Sequence, residues 1–446
     1  MWVVLCLWSC TSQYSREAEM WKLDLFWRDN WRFLQRDPEL LKRKFQKMEE
    51  SHYNFMRGSF SLYLAERALR SEQRIETMFL NDSNALMLPI FGDAHPENLT
   101  VCAEVGQEES IEFVDLDASV YGAWIIDVNR AALSLRILLD DIDSCLEECQ
   151  TQAVSEVVQG YLAGIFEEES RRSSSILEGL FLEALEEGAE RRKYNKYTEG
   201  DILRFFYDSE SGKGIAELTL EEEELAIDIF REFGHDKANI RLLDVGRRLG
   251  MGVSSLPALR FVFLWDQGQE GEEDNRLTLA REILDPPSYF THMDELAVFT
   301  SNSERIEFLA NELWVNPRAN SDYGGIQLDS IEVKFQRWSS FFQDLEKAKI
   351  EEAFLEEEVD LDDIFDLSYN IGQILGERHG KSKSFFGENS RLIIQKDITL
   401  GGGKKILEDE IVEHSIQDYQ SSLNNYQWFQ ALIETEGFLL GMEKVQ

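Results

Sequence analysis

The residues best suited to chemistry are Asp93, Asn98 and Asp115. Gly92-Asp93-Ala94-His95-Pro96-Glu97-Asn98 separates two short runs of strand character, 86–90 and 99–102. A third run, 111–114, delivers Asp115 seventeen positions after Asn98. Phosphoryl transfer needs a carboxylate that orients an attacking hydroxyl and takes its proton. It also needs hard oxygen ligands that hold Mg2+ against nucleotide phosphates. A loop with one Asp and, five residues on, one Asn offers both from a single turn. Asp115, with Asp117 beside it, completes a metal cage from the neighbouring strand, and Asn98 avoids the repulsion that another carboxylate would add. His95 either shapes the turn or shares in the chemistry.

These residues need a frame. Asp37-Pro38-Glu39 reads as a helix start, a capping carboxylate followed by proline, with Leu41, Phe45 and Met48 at helical spacing. A second helix is expected over 60–69. Polar residues 104–110 turn the chain between the second and third strands. From 125 to about 190 the pattern is helical, with Val154, Val157, Val158, Tyr161, Leu162 and Ile165 forming one stripe. Residues 193–217, rich in Gly, Ser, Asp and Lys, read as a linker. Thr219 and Glu222 form a capping box for a helix ending near Gly234. Strands follow at 240–245, 259–265 and 277–283, the last two joined by an acidic glycine turn over 267–275. A helix over 303–314, a strand over 331–338, a helix over 363–379 and further helix within 408–442 complete the pattern.

At 446 residues the chain is long enough for two lobes or domains, and 43% hydrophobic residues give it a sizeable core. Its 45 basic and 85 acidic side chains argue against nucleic acid or an anionic membrane surface as a partner. The acidic runs 221–224 and 356–358 read as solvated helix faces and loops. No run of 18 apolar residues predicts a transmembrane helix. Five cysteines make no disulfide framework, and Cys145 and Cys149, one helical turn apart, read as packed thiols. Residues 1–15 carry no charged side chain, and Leu7-Trp8-Ser9-Cys10 resembles a bacterial lipoprotein signal. That gives two expectations: a periplasm-facing lipoprotein anchored at Cys10, or a cytoplasmic protein with an apolar terminus.

The loop and strands resemble the catalytic loop and metal-binding aspartate of the aminoglycoside phosphotransferase and choline kinase group. That group shows a Gly-Asp-x-His-x-x-Asn loop, a strand, a turn, and a strand ending in an Asp-containing segment, here Val114-Asp115-Leu116-Asp117. Gly122-Ala123-Trp124-Ile125-Ile126-Asp127 is similar to the group's Gly-x-x-x-x-Asp, which opens a buried helix. The resemblance implies Asp93 as base, Asn98 and Asp115 as Mg2+ ligands, ATP as donor, and Asp127 as a brace for the loop backbone. A closer likeness is to the bacterial family called domain of unknown function 2252. Its marks run from about 21 to about 383: Phe55-Met56-Arg57-Gly58, the 92–98 loop, 113–117, 124–134 with Asp127 and Arg130, the glycine-rich segment after Asp244, and Arg378-His379. That family brings no defined activity.

A kinase-like enzyme also needs a glycine-rich hairpin over the phosphates and a strand cation. These are found downstream, with Gly250, Gly252, Ser254 and Ser255 in the turn. By the family resemblance, Arg281 takes the place of a strand lysine. Arg57 is either a phosphate contact or a structural ion-pair partner. The expected fold is therefore α+β: a helix-rich, protein-kinase-like two-lobed fold, circularly permuted. Residues 1–20 form the terminal segment, 21–235 and 341–446 the large lobe, and 236–340 the nucleotide lobe. The expected activity is phosphorylation of a hydroxyl on a small molecule or, as the second choice of acceptor, on a protein. Arg is not a neutral replacement for Lys, which keeps open an inactive kinase-like scaffold that binds a nucleotide or a partner protein. A metal-dependent hydrolase using Asp93, Asp115 and Asp117 is a third reading. Gly376–Ser382 and Ser211–Gly214 resemble phosphate-binding loops but lack their spacing or strand context.

Overall fold

Asp37 accepts a hydrogen bond from the Leu40 N–H and Pro38 takes the first helical position, so a helix begins where the sequence marks one. The computed structural model describes residues 20–70, 77–80, 83–103, 109–142, 145–168, 171–209, 212–235, 237, 239–268, 275–287, 299–315, 322–328 and 331–440. Cys10, the polar turn at 104–108 and most of the acidic turn after 268 lie outside them. The helices and strands make an α+β chain, with compact units at Met1–Glu76, Pro287–Leu296 and Ser422–Gln446, and at Thr77–Pro286 and Ala297–Ser421.

The first unit contains α1 (20–36), α2 (Pro38–Glu50), α3 (His52–Gly58) and α4 (Phe60–Arg70). Its core stacks Phe26 and Phe55 on Phe429, at ring separations of 5.4 and 5.2 Å. Lys44 is buried in it and donates to Asn30 Oδ1 at 2.7 Å.

The second unit opens with β1 (Leu88–Ile90), β2 (Leu99–Cys102), β3 (Ser110–Phe113) and β4 (Val120–Gly122). Strand β1 pairs with β4, and β2 with β3. Then come α5 (Ile125–Leu139), α6 (Glu147–Phe166), α7 (Ser175–Ala189) and α8 (Arg192–Tyr197). Next are β5 (Thr198–Glu199), β6 (Ile202–Leu203), β7 (Phe206–Tyr207) and β8 (Gly214–Ala216). The predicted linker at 193–217 is therefore structured over its described residues. Tyr197, Leu203 and Ile215 give it the apolar side chains that bind it to the sheet core, and β7 and β8 extend that sheet. The Thr219–Glu222 capping box forms as expected and opens α9 (Leu220–Phe233).

Strands β9 (Arg241–Leu249), β10 (Arg260–Asp266) and β11 (Asn275–Glu282) precede α10 (Asn302–Leu313), then β12 (Gly324–Leu328), β13 (Ile331–Arg337) and β14 (Phe342–Asp344). Seven strands form one antiparallel sheet in the order β12-β13-β11-β10-β9-β8-β7, and β14 pairs with β2. Strand alternation divides its side chains. Phe261, Phe263, Ala280, Val333 and Phe335 pack with Phe230 and Phe233 of α9, while Val262, Leu264 and Leu277 pack with Tyr197 and Leu203.

The chain ends with α11 (Lys347–Leu355), α12 (Leu361–Lys381), α13 (Ser390–Leu400) and α14 (Lys404–Glu436). Helices α6 and α12 meet backbone to backbone. A Cβ at Gly160 would lie 1.9 Å from Tyr369 O, and one at Gly372 would lie 1.9 Å from Val157 O. Cys145 and Cys149 are joined by a disulfide at the start of α6, which corrects the expectation of packed thiols. The one-turn spacing brings the Cα atoms to 5.1 Å, within bonding reach. Among the described residues no helix is long and apolar enough to cross a membrane.

Candidate functional site

The loop after β1 is held by its backbone. Gly92 has φ +80°, and a Cβ there would meet Ala118 O at 2.3 Å, so only glycine brings the loop this close to the 117–118 turn. Asp127, fully buried in the first turn of α5, accepts the Phe91 and Gly92 N–H groups, one on each oxygen and both at 2.7 Å. His379 from α12 lies behind it, Nε2 3.0 Å from Asp127 Oδ2 and Nδ1 3.1 Å from the Tyr161 hydroxyl. An ionised carboxylate only accepts, so Nε2 carries the proton and Nδ1 accepts from Tyr161. Burial, then Asp127 and Asp397, holds the Tyr161 phenol well above its usual range, so it remains a donor. The glycine-tight α6–α12 contact thus reaches the loop through Tyr161, His379 and Asp127.

Asp93 Oδ1 accepts from the fully buried Arg130 Nε at 2.7 Å. Arg130 sits one turn along α5 from Asp127, so one helix face fixes both the loop backbone and its carboxylate. His95 is buried, with its N–H bonded to Asp93 O and its Nε2 3.9 Å from Asp93 Oδ2. Asn98 donates Nδ2 to Asp93 O at 2.9 Å, leaving its amide oxygen as the end suited to a cation. Val114 N–H donates to Asn98 O, so Asp115 follows directly from the strand that closes this loop.

Asp115 and Asp117 meet the seven-stranded sheet. Arg281 Nη2 donates to Asp115 Oδ1 at 2.7 Å and to Asp117 Oδ2 at 2.6 Å. Lys334 Nζ reaches the same two carboxylates at 3.1 and 2.8 Å. Burial alone would raise the Asp115 carboxyl, but Arg281 and Lys334 overcome it and hold the group well below the usual carboxylate range. The cations form a rung across the sheet, since Arg260 of β10 pairs in register with Arg281, and Arg281 with Lys334. Arg260 donates to Ser255 Oγ at 2.7 Å, and Arg281 Nη1 to the same oxygen at 3.3 Å. Burial, then Arg281, pushes the Arg260 guanidinium down to about 9. Arg260 Nη1, Arg281 Nε and the Tyr323 hydroxyl are buried with no hydrogen-bond partner among the described residues.

The glycine turn enters through Ser255. Gly250 (φ +77°) packs on the 212–213 backbone, its Cβ position 2.3 Å from Gly212 O, so its glycine serves the turn itself. Gly252 (φ +73°) stands beside Ser255 and Arg260, and Ser254 is half-buried. Arg57 belongs to the first unit, where its guanidinium lies 5.9 Å from the Tyr53 ring centroid. The structure therefore joins Asp93, His95 and Asn98 in one loop, and Asp115, Asp117, Arg281 and Ser255 in the adjoining cluster.

The sequence reading did not single out Lys334, Arg260, Tyr323 or Arg305. Arg305 of α10 holds the 116–119 turn through Leu116 O and Ser119 O. Lys334 left no clear signal, since Glu332, Lys334 and Gln336 alternate with Ile331, Val333 and Phe335 as on a strand with one solvated face. Arg130, which entered the sequence analysis only as a mark of the family resemblance, is the ion-pair partner of Asp93.

A family model described as an uncharacterized protein conserved in bacteria (DUF2252) matches residues 36–306, more than half of the chain. The chain belongs to this family. The DUF2252 match includes the 92–98 loop, Asp115, Asp117, Asp127, Arg130 and Arg281, and ends before Lys334 and His379. No curated protein and no solved structure matches the chain.

For Mg2+ the donor set is adequate but sparse. Among the described residues no cluster of three or more His, Cys, Asp or Glu forms a metal cage. Mg2+ commonly takes one or two carboxylates and completes its shell with phosphate and water. Asp115, whose side chain is 31% exposed, Asp117 and the Asn98 amide oxygen suit that role.

Proposed function

We propose that this chain is a kinase-like phosphotransferase with a permuted order of lobes, acting on a hydroxyl of a small molecule. One observation carries the reading: a rung of three cations, Arg260, Arg281 and Lys334, faces Asp115 and Asp117 beside the loop of Asp93 and Asn98. A buried cluster with more positive than negative groups and unsatisfied N–H donors is suited to phosphate oxygens. The antiparallel sheet, its glycine turn at 250–255 and the inserted helix α10 support a nucleotide lobe that follows the catalytic loop in sequence.

In this reading the acceptor oxygen bonds to the terminal phosphorus of a nucleoside triphosphate as the bond to the diphosphate breaks. Asp93, oriented by Arg130, takes the hydroxyl proton. Asp127 keeps the loop backbone in place, and Arg281, Lys334 and Arg260 contact phosphate oxygens. Mg2+ held by Asp115, Asp117 and Asn98 would neutralise phosphate charge. A second reading, an inactive kinase-like scaffold, is favoured by the full engagement of Asp115 with Arg281 and Lys334.

Thermal-shift measurements with ATP, GTP and ADP, with and without Mg2+, test the choice, because a ligand of the native state raises its apparent stability. The expected result is Mg2+-dependent stabilisation by nucleotide, with Asp93→Asn binding normally but turning over no substrate. Asp115→Ala should weaken the Mg2+-dependent binding itself. A chain that binds no nucleotide under any metal condition would overturn the phosphotransferase reading.

A further inference from the structure

The cation rung has more reach than one phosphate requires. Neighbouring strands lie about 4.8 Å apart, so Arg260, Arg281 and Lys334 span roughly 10 Å across β10, β11 and β13. Like charges directly opposite one another on adjacent strands repel, and such a row persists only where anions oppose it. Two carboxylates do so here, both contacting Arg281 and Lys334, while Arg260 donates to the neutral Ser255 hydroxyl. Three charges against two leave the cluster positive. Arg260 Nη1, Arg281 Nε and the Tyr323 hydroxyl add donors with no partner among the described residues. A ligand matching this row carries several linked anionic groups, as a di- or triphosphate does.

The same contacts occupy the carboxylate oxygens that a divalent cation would use. Asp115 Oδ1 accepts from both Arg281 and Lys334, and Oδ2 lies 3.4 Å from Arg281 Nη1. Asp117 gives one oxygen to each cation. A divalent cation arriving alone meets neutralised carboxylates and two adjacent positive charges. A polyphosphate arriving alone must displace the carboxylates from the two cations. Arriving together, each ligand takes over what the other's partners release.

We propose that Lys334 and Arg281 form a two-armed polyphosphate clamp, closed on Asp115 and Asp117 in the ligand-free protein, that makes polyphosphate and divalent-cation binding mutually dependent. This rests on the phosphotransferase reading for its ligand class but not for its internal logic. Positive coupling between two ligands is reciprocal, so releasing the carboxylates by mutation should substitute for the phosphate.

The test is Mn2+ binding to the full chain, without nucleotide, by calorimetry and by electron paramagnetic resonance. Wild type should bind Mn2+ weakly, and Lys334→Met should bind it on the order of tenfold more tightly. Lys334→Gln serves as a second variant, should the first fold poorly. Arg260→Met removes the same charge two strands away without freeing a carboxylate, and should change Mn2+ affinity far less. In the metal-free arm, inorganic tripolyphosphate should bind more weakly to Lys334→Met and more tightly to Asp117→Asn than to wild type. Equal Mn2+ affinities in Lys334→Met, Lys334→Gln and Arg260→Met would overturn the clamp, even if nucleotide binds and the phosphotransferase reading stands. Tighter Mn2+ binding in both Lys334 variants, with no nucleotide bound by any form, would keep the clamp and overturn that reading.

Discussion

Gly92 donates its backbone N–H to Asp127 Oδ1 at 2.7 Å, across 35 positions of sequence, and Phe91 donates to the other oxygen of the same carboxylate. Two adjacent amides on one buried carboxylate define the direction in which the chain enters Asp93. Asn in place of Asp offers one acceptor and turns an NH2 group toward the second amide. Leaving a buried donor unmatched costs about 1–3 kcal/mol. Asp127→Asn should lower unfolding free energy by at least that amount and speed hydrogen exchange at Phe91 and Gly92. Unchanged exchange at those two amides would show that something other than Asp127 orders the loop.

The brace behind Asp127 depends on how closely α6 and α12 approach. A methyl group at Gly160 has Tyr369 O in its way at 1.9 Å, and backbone cannot swing aside as a flexible side chain can. Gly160→Ala must push the helices apart, which moves Tyr161 away from His379. The expected loss is roughly 3 kcal/mol or more, accompanied by loosening at 91–92. Gly179 of α7 is the internal control, since a Cβ there meets nothing within 4 Å. Gly179→Ala should raise stability by about 0.5–1 kcal/mol through backbone entropy alone. Melting curves of the two variants check both signs.

Local signals in the sequence were strong where the cause of structure is local. The Asp37 cap, the Thr219–Glu222 capping box and the strand Leu99–Cys102 each follow from a few adjacent residues. The buried stripe from Val154 to Ile165 follows from helical period. The 92–98 loop was legible because its chemistry sits within seven residues. What could not be read was pairing at a distance. Lys334 meets Asp115 across 219 positions, and nothing near either residue encodes that contact. The composition of 193–217 suggested a linker, yet Tyr197, Leu203 and Ile215 find apolar partners on strands that come later in the chain. The Cys145–Cys149 spacing allowed a disulfide but did not require one.

Lys44 gives the first unit a measurable pH dependence. Its ammonium is buried and donates to Asn30 Oδ1, and burial pushes its pKa down to about 8 from 10.5, with Asp29 opposing and Arg32 reinforcing the shift. The unfolded chain therefore holds this proton more tightly than the folded one. Between the two values the unfolded state binds more protons, so stability rises with pH through that window. At neutral pH the buried charge is a cost, and it is relieved as pH climbs past about 8 toward 10.5. Integrated over that window, the contribution is roughly 2–3 kcal/mol. Lys44→Met removes the titrating group while keeping most of its apolar stem. Urea unfolding of wild type and Lys44→Met at several pH values between about 7 and 10 isolates the effect in their difference, since other groups titrate alike in both. Wild type should gain on the variant as pH rises. A constant difference across the window would mean that Lys44 ionises in the folded chain as it does in the unfolded one.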